Sequence, residues 1–153
     1  CGGKPMAGCV YAPARREMYF GGADARLIEA FAPGEMLREG RLLKTRAYPA
    51  EGLTAMTSSS HLDERTKAFL ADHKIASQTA IGSSLKFCWL AAGKADVYPR
   101  WGPTMEWDTA AGHAVLNAAG GQMLKPDGSP FTYGNGTEGF RNGPFVAWGG
   151  EPV

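Results

Sequence analysis

The fold of this chain is decided by one stretch of sequence, Trp107-Asp108-Thr109-Ala110-Ala111-Gly112. The stretch lies near the start of residues 105–119, which we predict to form a helix. Gly120-Gly121 follows directly, and glycine is the residue that most often stands just beyond the C-terminus of a helix. Asp108 therefore falls in the first turn of the predicted helix.

Asp108 has two interpretations. Acidic residues are favoured in the first turn of a helix because they interact with the positive end of the helix dipole. Glu106 would serve that purpose equally well. The other interpretation gives Asp108 a role in the chemistry of a site, and its position alone leaves both interpretations open.

Short strands and helices alternate through the rest of the chain. A helix of about three turns follows His61, and Ser60 and Asp63 have the spacing of a capping box at its start. Residues 21–52 have a weak pattern, for which we predict short strands and long turns. The clearer predictions are strands over residues 6–12, 17–20, 53–57, 76–80, 95–98 and 145–148 and a helix over residues 85–92. This alternation predicts a single α/β domain over residues 1–153, with a mixed β-sheet flanked by helices.

The composition is that of an ordinary globular protein. The 153 residues suffice for one compact domain with a hydrophobic core, and 44% of them are apolar and 20% charged. A formal net charge of +1 provides no basic surface for a nucleic-acid polymer, whereas a small phosphorylated ligand needs only a few well-placed cations. No apolar run has the length of a membrane span. A peripheral association with the inner membrane is possible, but no motif in the sequence supports it.

The cysteines and the first residues bear on the origin of the chain. Cys1, Cys9 and Cys88 are odd in number and lack the spacing of a disulfide framework or a zinc site, so we expect reduced thiols in a cytoplasmic protein. Cys1-Gly2-Gly3 lacks an initiator methionine, and we expect a domain cut from a longer protein.

Gly82-Ser83-Ser84 stands before the predicted helix over residues 85–92, which is apolar nearly all round and is therefore expected to be buried. Backbone N–H groups and hydroxyls at the start of such a helix can bind an anion. Lys86 is the one charged residue of this helix, and its ammonium must either reach water or meet an anion. The alternative is a snorkelling lysine preceded by serines that only cap the helix.

Arg100 and His61 are two further candidates. Arg100 lies in a proline-flanked turn, Tyr98-Pro99-Arg100-Trp101-Gly102-Pro103, which suits planar recognition of a phosphate group, although most arginines in loops are simply solvated. His61 either forms hydrogen bonds at a helix start or belongs to a cap. No P-loop, nucleophile elbow or cluster with metal-ligand spacing accompanies them in the sequence.

Taken together, these segments resemble a known family. The stretch around Asp108, followed by Ala118-Ala119-Gly120-Gly121, resembles the second signature of the inositol monophosphatase superfamily. Residues 82–88 and 98–104 look like its bisphosphate nucleotidase branch, in agreement with Val10-Tyr11-Ala12-Pro13 and with His61 after a run of serines. The resemblance implies that the fold is the sugar-phosphatase carboxy-terminal domain.

The resemblance also implies an activity. Enzymes of this branch use Mg²⁺ to hydrolyse the 3'-phosphate of adenosine 3',5'-bisphosphate, a small nucleotide, and give AMP. By the same resemblance Asp108 is a metal ligand, and the cations hold the phosphate that is not cleaved. Trp107 is expected to pack so that it fixes Asp108. The residues that the resemblance nominates for nucleotide binding are His61, Ser83, Lys86, Arg100 and Asp108.

This sequence departs from the family pattern in two ways. Ser59 stands where relatives usually have an arginine, which puts the anchoring by that arginine in doubt. The first family signature, DP(I/L)DGT with a preceding glutamate, does not occur in the chain. We therefore expect a carboxy-terminal half that is inactive without its amino-terminal half. The alternatives are an inositol-phosphate or sugar-phosphate phosphatase and a catalytically inactive nucleotide-binding module.

Overall fold

The computed structural model describes residues 1–36, 39–57 and 63–153 of the chain. The strands in these ranges are β1 Gly8–Ala12, β2 Glu17–Gly21, β3 Ala25–Ile28, β4 Arg41–Leu43, β5 Leu53–Thr57, β6 Ile75–Ala80, β7 Val97–Arg100, β8 Thr104–Met105, β9 Gln122–Leu124, β10 Arg141–Asn142 and β11 Phe145–Trp148. The helices are α1 Glu64–Asp72, α2 Leu85–Ala91 and α3 Glu106–Ala118. None of these described helices has the length and apolar character needed to cross a membrane.

Two larger sheets and one small one organise the strands. The first sheet is fully antiparallel, in the order β1-β2-β3-β4. The second is mixed, in the order β6-β5-β7-β11-β9: β5 runs parallel to β6 and β7, whereas β11 runs antiparallel to β7 and β9. Strands β8 and β10 form an antiparallel pair, in which Thr104 lies opposite Asn142. The predicted α/β fold with a mixed sheet flanked by helices is confirmed.

Helices α2 and α3 lie between the two larger sheets. One apolar cluster joins the helices to the mixed sheet, and a second joins them to the antiparallel sheet. Phe87 belongs to the first cluster, and Cys88, the next residue of α2, belongs to the second. The predicted burial of this helix on most sides is therefore confirmed. On the outer face of the mixed sheet, Phe69 of α1 packs against a third cluster.

Helix α3 approaches the antiparallel sheet so closely that two contacts require glycine. A Cβ atom on Gly21 would lie 2.6 Å from the Cα atom of Val115, and one on Gly8 would collide with the backbone of Ala111. Residues 111 and 115 are about one helical turn apart, so β1 and β2 meet the same face of α3. The two glycines let the helix rest on the strand backbones, and this contact fixes the position of its first turn, which contains Asp108.

A buried ion pair anchors the start of β7. Asp96 is 0% exposed, and its carboxylate accepts hydrogen bonds from Nε and Nη2 of Arg46 at 2.8 and 2.7 Å and from the N–H of Thr54 at 2.7 Å. A carboxylate can be buried at little net cost only when it has partners of this kind. Because β7 begins at the next residue, the pair fixes the strand that contains Tyr98 and Arg100.

Most predicted elements are found, with ends that shift by one or two residues. The strand predicted over residues 95–98 begins at Val97, after the ion-paired Asp96. The capping box predicted for Ser60 and Asp63 is wrong: Asp63 is itself the cap of α1 and accepts from the N–H of Thr66 at 2.9 Å, while Ser60 lies outside the described residues. The sequence does not predict β8, β9 or β10, because strands of two or three residues are too short for a recognisable alternation.

We predict that Gly21→Ala destabilises the protein, whereas Gly22→Ala does not. The new methyl group at position 21 would meet backbone atoms of α3, and overpacking of this kind costs about 1–3 kcal/mol in the free energy of unfolding. A Cβ atom at Gly22 has no other atom within 4 Å. Urea unfolding measures both variants, and equal stabilities would contradict the close approach of α3 to the sheet.

Candidate active site

A cavity of about 200 Å³ opens where α2 and α3 begin and β7 ends. It brings together four of the residues nominated from the sequence, Ser83, Lys86, Arg100 and Asp108. His61 lies outside the described residues, as does Ser59. The other residues in the wall of the cavity are Ser84, Phe87, Tyr98, Thr104 and Thr109.

Lys86 is buried in the wall of this cavity without a counter-ion in the described part of the chain. Only 5% of the residue is exposed. Its Nζ atom lies 5.1 Å from the ring centroid of Tyr98, which is a cation–π distance. Burial lowers the pKa of Lys86, and the positive charge of Arg100 lowers it further. A snorkelling lysine would reach open water, so the buried position of Lys86 favours the interpretation in which it meets an anion.

Arg100 is held in place by Tyr98, two residues before it, and by the turn that follows it. Nη1 donates a hydrogen bond to the hydroxyl of Tyr98 at 3.1 Å, Nη2 to the carbonyl of Pro103 at 3.0 Å, and Nε to the carbonyl of Gly102 at 3.4 Å. A guanidinium has five N–H donors, so these three bonds leave two donors for a ligand. A side chain fixed at three points differs from the freely solvated loop arginine that the sequence left as an alternative.

The two serines before α2 have separate roles. The Ser84 hydroxyl donates to the backbone carbonyl of Asp108 at 2.9 Å and so ties the start of α2 to the start of α3. It forms no capping hydrogen bond, which argues against a plain N-cap. Ser83 is exposed and has a φ of 59°, a left-handed conformation that costs a residue with a side chain about 1–3 kcal/mol. Strain of this kind is concentrated at functional sites.

Asp108 has one carboxylate oxygen engaged and one available. Oδ2 accepts a hydrogen bond from the N–H of Met105 at 3.0 Å, so the helix-start interpretation holds for this oxygen. Oδ1 has no hydrogen bond with the described residues, and the residue is exposed, so this oxygen can bind a cation. Glu106, the other acidic residue of this turn, is engaged elsewhere, because its Oε1 accepts from the N–H groups of Gly134 and Asn135 at 2.7 Å.

The expectation that Trp107 packs so as to fix Asp108 is wrong. Trp107 is 67% exposed, and its ring lies beside that of Phe140, with the centroids 6.4 Å apart. An indole that is mostly in solvent has too few neighbours to orient the carboxylate next to it. Instead, the N–H of Met105 holds the side chain of Asp108, and the hydroxyl of Ser84 holds its backbone.

A larger cavity, of about 530 Å³, lies next to Trp107. Its walls are mostly apolar and include Pro5, Ala110 and Phe140. It contains none of the nominated residues, and it has no pair of cations. The chemistry of the walls, rather than the volume, therefore assigns the candidate site to the smaller cavity.

Asp108 fits one coordination position of a magnesium ion. Mg²⁺ prefers oxygen ligands and usually keeps several waters, with one or two carboxylates from the protein. Within the described ranges, no group of three or more His, Cys, Asp or Glu residues is placed to hold a metal. Asp108 is therefore the one carboxylate in the wall of this cavity, as the described residues form it, that could bind such an ion.

Tyr98 and Thr104 line the cavity, although the sequence reasoning gives them no role. The alternation of a strand could have identified Tyr98, because it lies two residues before Arg100 in β7 and such residues point to the same face of a sheet. No comparable signal exists for Thr104. Its two-residue strand is defined only by pairing with Arg141 and Asn142, which are distant in sequence.

We predict that Lys86→Met makes the protein more stable near neutral pH. Because the folded state lowers the pKa of Lys86, the protonated ammonium opposes folding. Methionine occupies similar space without the charge, and we expect a gain of about 1–2 kcal/mol in the free energy of unfolding. The gain shrinks as the pH rises toward the ordinary lysine pKa, because the unfolded chain then binds fewer protons as well.

Urea unfolding between about pH 6 and pH 11, a range that extends above the ordinary lysine pKa of about 10.4, measures this gain. Lys94→Met is the control, since the Nζ atom of Lys94 also lies near an aromatic ring, that of Trp89 at 5.3 Å, but the residue is exposed. A loss of stability in Lys86→Met would instead assign Lys86 a structural role.

Comparison with known proteins identifies relatives of the chain. The model of a family described as "Inositol monophosphatase family" matches residues 1–145. The chain is 41% identical over 133 residues to the 3'(2'),5'-bisphosphate nucleotidase CysQ of Escherichia coli (strain K12), a match that covers 86% of this chain and 50% of that protein. It is 63% identical over 88 residues to an "Uncharacterized protein in pss 5'region" of Rhizobium leguminosarum bv. phaseoli, which covers 55% of this chain and 93% of that protein.

Solved structures agree with these matches. CysQ from Bacteroides thetaiotaomicron has a TM-score of 0.81 and 33% identity, and the match covers 95% of this chain and 58% of that one. An inositol monophosphatase from Zymomonas mobilis, at 20% identity and a TM-score of 0.74 over 97% of this chain and 54% of that one, shares the fold. The chain spans about half the length of the CysQ relatives that it matches. With the family model matched over residues 1–145, the chain belongs to the inositol monophosphatase family.

Proposed function

We propose that this chain forms the carboxy-terminal half of a magnesium-dependent phosphatase that removes the 3'-phosphate of adenosine 3',5'-bisphosphate and releases AMP. One observation carries the proposal: two cations, Lys86 and Arg100, line a small cavity together with Asp108. The 41% identity to a protein named as a 3'(2'),5'-bisphosphate nucleotidase supports it.

Lys86 and Arg100 would bind the phosphate group that is not cleaved. A phosphate ester carries nearly two negative charges at neutral pH, which matches the two positive charges of the cavity. Lys86 is only 5% exposed and has no counter-ion among the described residues, so an anion would reduce the cost of burying its charge. Ser83, and His61 from outside the described ranges, complete the proposed nucleotide contacts.

Asp108 would contribute its free Oδ1 to magnesium binding. Magnesium in such sites neutralises charge on the phosphoryl group and lowers the pKa of the attacking water. The remaining ligands are proposed to come from an amino-terminal half that contains the first family signature, which this sequence lacks. The chain by itself is therefore proposed to be inactive.

A hydrogen bond joins the two helix starts that hold the proposed substrate contacts. Ser84, at the start of α2, donates to the backbone of Asp108, at the start of α3. A substrate with two phosphates is proposed to place one beside Lys86 and the other beside Asp108, which line the same cavity. Binding of the remote phosphate then contributes to orienting the phosphate that reacts. An inositol monophosphate has no second phosphate and cannot use the pair of cations in this way.

We predict that Asp108→Asn in the complete protein nearly abolishes magnesium-dependent turnover and leaves the fold intact. The asparagine oxygen can still accept from the N–H of Met105, but the charge that attracts the metal is lost. We expect magnesium affinity to fall by about 10–100-fold or more, by analogy with other disrupted metal shells.

Phosphate release at a series of magnesium concentrations measures the effect of Asp108→Asn. Glu106→Gln is the matched control, because that side chain accepts from the N–H groups of Gly134 and Asn135 and is proposed to bind no metal. Unchanged magnesium dependence in Asp108→Asn would refute the metal assignment.

We also predict that Lys86→Ala and Arg100→Ala each reduce turnover of the bisphosphate selectively. A charge-assisted contact to phosphate is worth about 1.5–3 kcal/mol, so kcat/KM for adenosine 3',5'-bisphosphate should fall roughly ten- to hundredfold. Turnover of inositol monophosphate, which has no remote phosphate, should barely change.

Steady-state kinetics of the complete protein on both substrates gives the comparison, with the exposed Lys94→Ala as the control variant. Equal losses on both substrates would mean that the two cations are structural. A wild-type preference for inositol monophosphate would support a sugar-phosphate phosphatase, and the absence of turnover on either substrate would support an inactive nucleotide-binding module.

A further inference from the structure

Two buried residues with hydroxyl groups line the cavity beside the cations. Tyr98 is 5% exposed and Thr104 is 8% exposed, and both residues line the same cavity as Lys86 and Arg100. Each hydroxyl has one O–H donor as well as acceptor capacity. The hydrogen bonds that each oxygen already makes therefore determine what its hydrogen can still do.

The hydroxyl of Tyr98 is used by the protein as an acceptor. It accepts from Nη1 of Arg100 at 3.1 Å, and no acceptor for its own hydrogen occurs among the described residues. Burial raises the pKa of Tyr98, so the phenol keeps its proton at neutral pH. Its O–H is therefore a donor that still lacks an acceptor, at the edge of a cavity lined by two cations.

The hydroxyl of Thr104 likewise accepts a hydrogen bond and has no acceptor for its own hydrogen among the described residues. It accepts from Nδ2 of Asn142 at 3.2 Å, and the same amide nitrogen also donates to Thr109 at 3.0 Å. The reverse orientation of this amide would leave its two N–H groups where Oδ1 now lies, buried without any partner. Since the amide nitrogen can only donate, the O–H of Thr104 has no acceptor in the described structure.

We propose that the hydroxyls of Tyr98 and Thr104 donate hydrogen bonds to the remote phosphate, and thus act with Lys86 and Arg100 as binding residues, an inference that rests on the proposed function. A phosphate group offers three strongly accepting oxygens, enough for all four donor side chains. A buried donor without an acceptor is costly, and a bound phosphate removes that cost at both residues.

The position of both hydroxyls favours binding without reorganisation. Tyr98 is in β7, whose start is anchored by the ion pair of Asp96, and Thr104 is in β8, paired with β10. Arg100 and Asn142 each donate a hydrogen bond to one of the two oxygens, and neither contact uses the hydrogen of the O–H group. Donors held in this way lose little conformational entropy when the ligand binds.

Kinetics of Tyr98→Phe and Thr104→Val in the complete protein tests the proposal. The substrates are adenosine 3',5'-bisphosphate and adenosine 3'-monophosphate, which lacks only the remote phosphate. We expect kcat/KM for the bisphosphate to fall roughly tenfold in each variant and kcat/KM for the monophosphate to stay within about twofold. Thr104→Ser should restore most of the loss, because it returns the hydroxyl. Thr104→Ala provides a second variant if Thr104→Val does not fold.

A double variant separates direct binding by Tyr98 from an effect that passes through Arg100. If Tyr98 only oriented the guanidinium, Tyr98→Phe would have no further effect in an Arg100→Ala background. Direct donation predicts that most of the tenfold loss persists in that background. Disappearance of the loss would overturn the proposal for Tyr98, and equal losses of Thr104→Val on both substrates would overturn it for Thr104.

Comparison with Lys86→Ala and with the wild type distinguishes a failure of this inference from a failure of the proposed function. A selective loss in Lys86→Ala without selective losses in the hydroxyl variants would overturn this inference and leave the proposed function standing. Wild-type protein that turns over the two adenosine phosphates equally would overturn the remote-phosphate assignment, and the inference with it.

Discussion

The site depends on the close approach of helix α3 to its neighbours. On one side, Gly8 and Gly21 let α3 rest on the backbones of β1 and β2. On the other side, a Cβ atom on Gly112 would come within 2.9 Å of the Cβ atom of Phe87, so α2 also packs directly against the helix. Interiors packed at this density resist displacement. The first turn of α3, where Asp108 lies, is therefore fixed from two sides before any ligand binds.

The cavity, in contrast to the packing of α3, contains features that destabilise the folded protein. Lys86 is buried without a counter-ion among the described residues, Arg100 lies close enough to lower its pKa, and Ser83 has a left-handed backbone. Each of these features costs folding free energy. They occur together in one cavity of about 200 Å³, whereas the buried carboxylate of Asp96 a few residues away is fully paired. A bound anion would relieve the cost of the two neighbouring positive charges, and local instability of this kind is typical of a binding site.

Sequence patterns predicted the parts of the structure that depend on local rules. Lys86 was identifiable because it is the single charge of an apolar helix, and the end of α3 because Gly120 follows it. In the structure Gly120 has a φ of 95°, in the left-handed region that suits glycine. The environment of Trp107 was not predictable, because it depends on Phe140, which a distant loop supplies. The Thr104–Asn142 hydrogen bond joins residues 38 positions apart, and no local pattern reports such a contact.

A crystal structure of the complete protein with AMP bound tests the central claim most directly, because AMP retains the 5'-phosphate that the cations are proposed to hold. We predict that this phosphate occupies the cavity, within hydrogen-bonding distance of Nζ of Lys86 and of the guanidinium of Arg100. A complex in which the 5'-phosphate lies outside the cavity, with the surroundings of Lys86 unchanged, would contradict it.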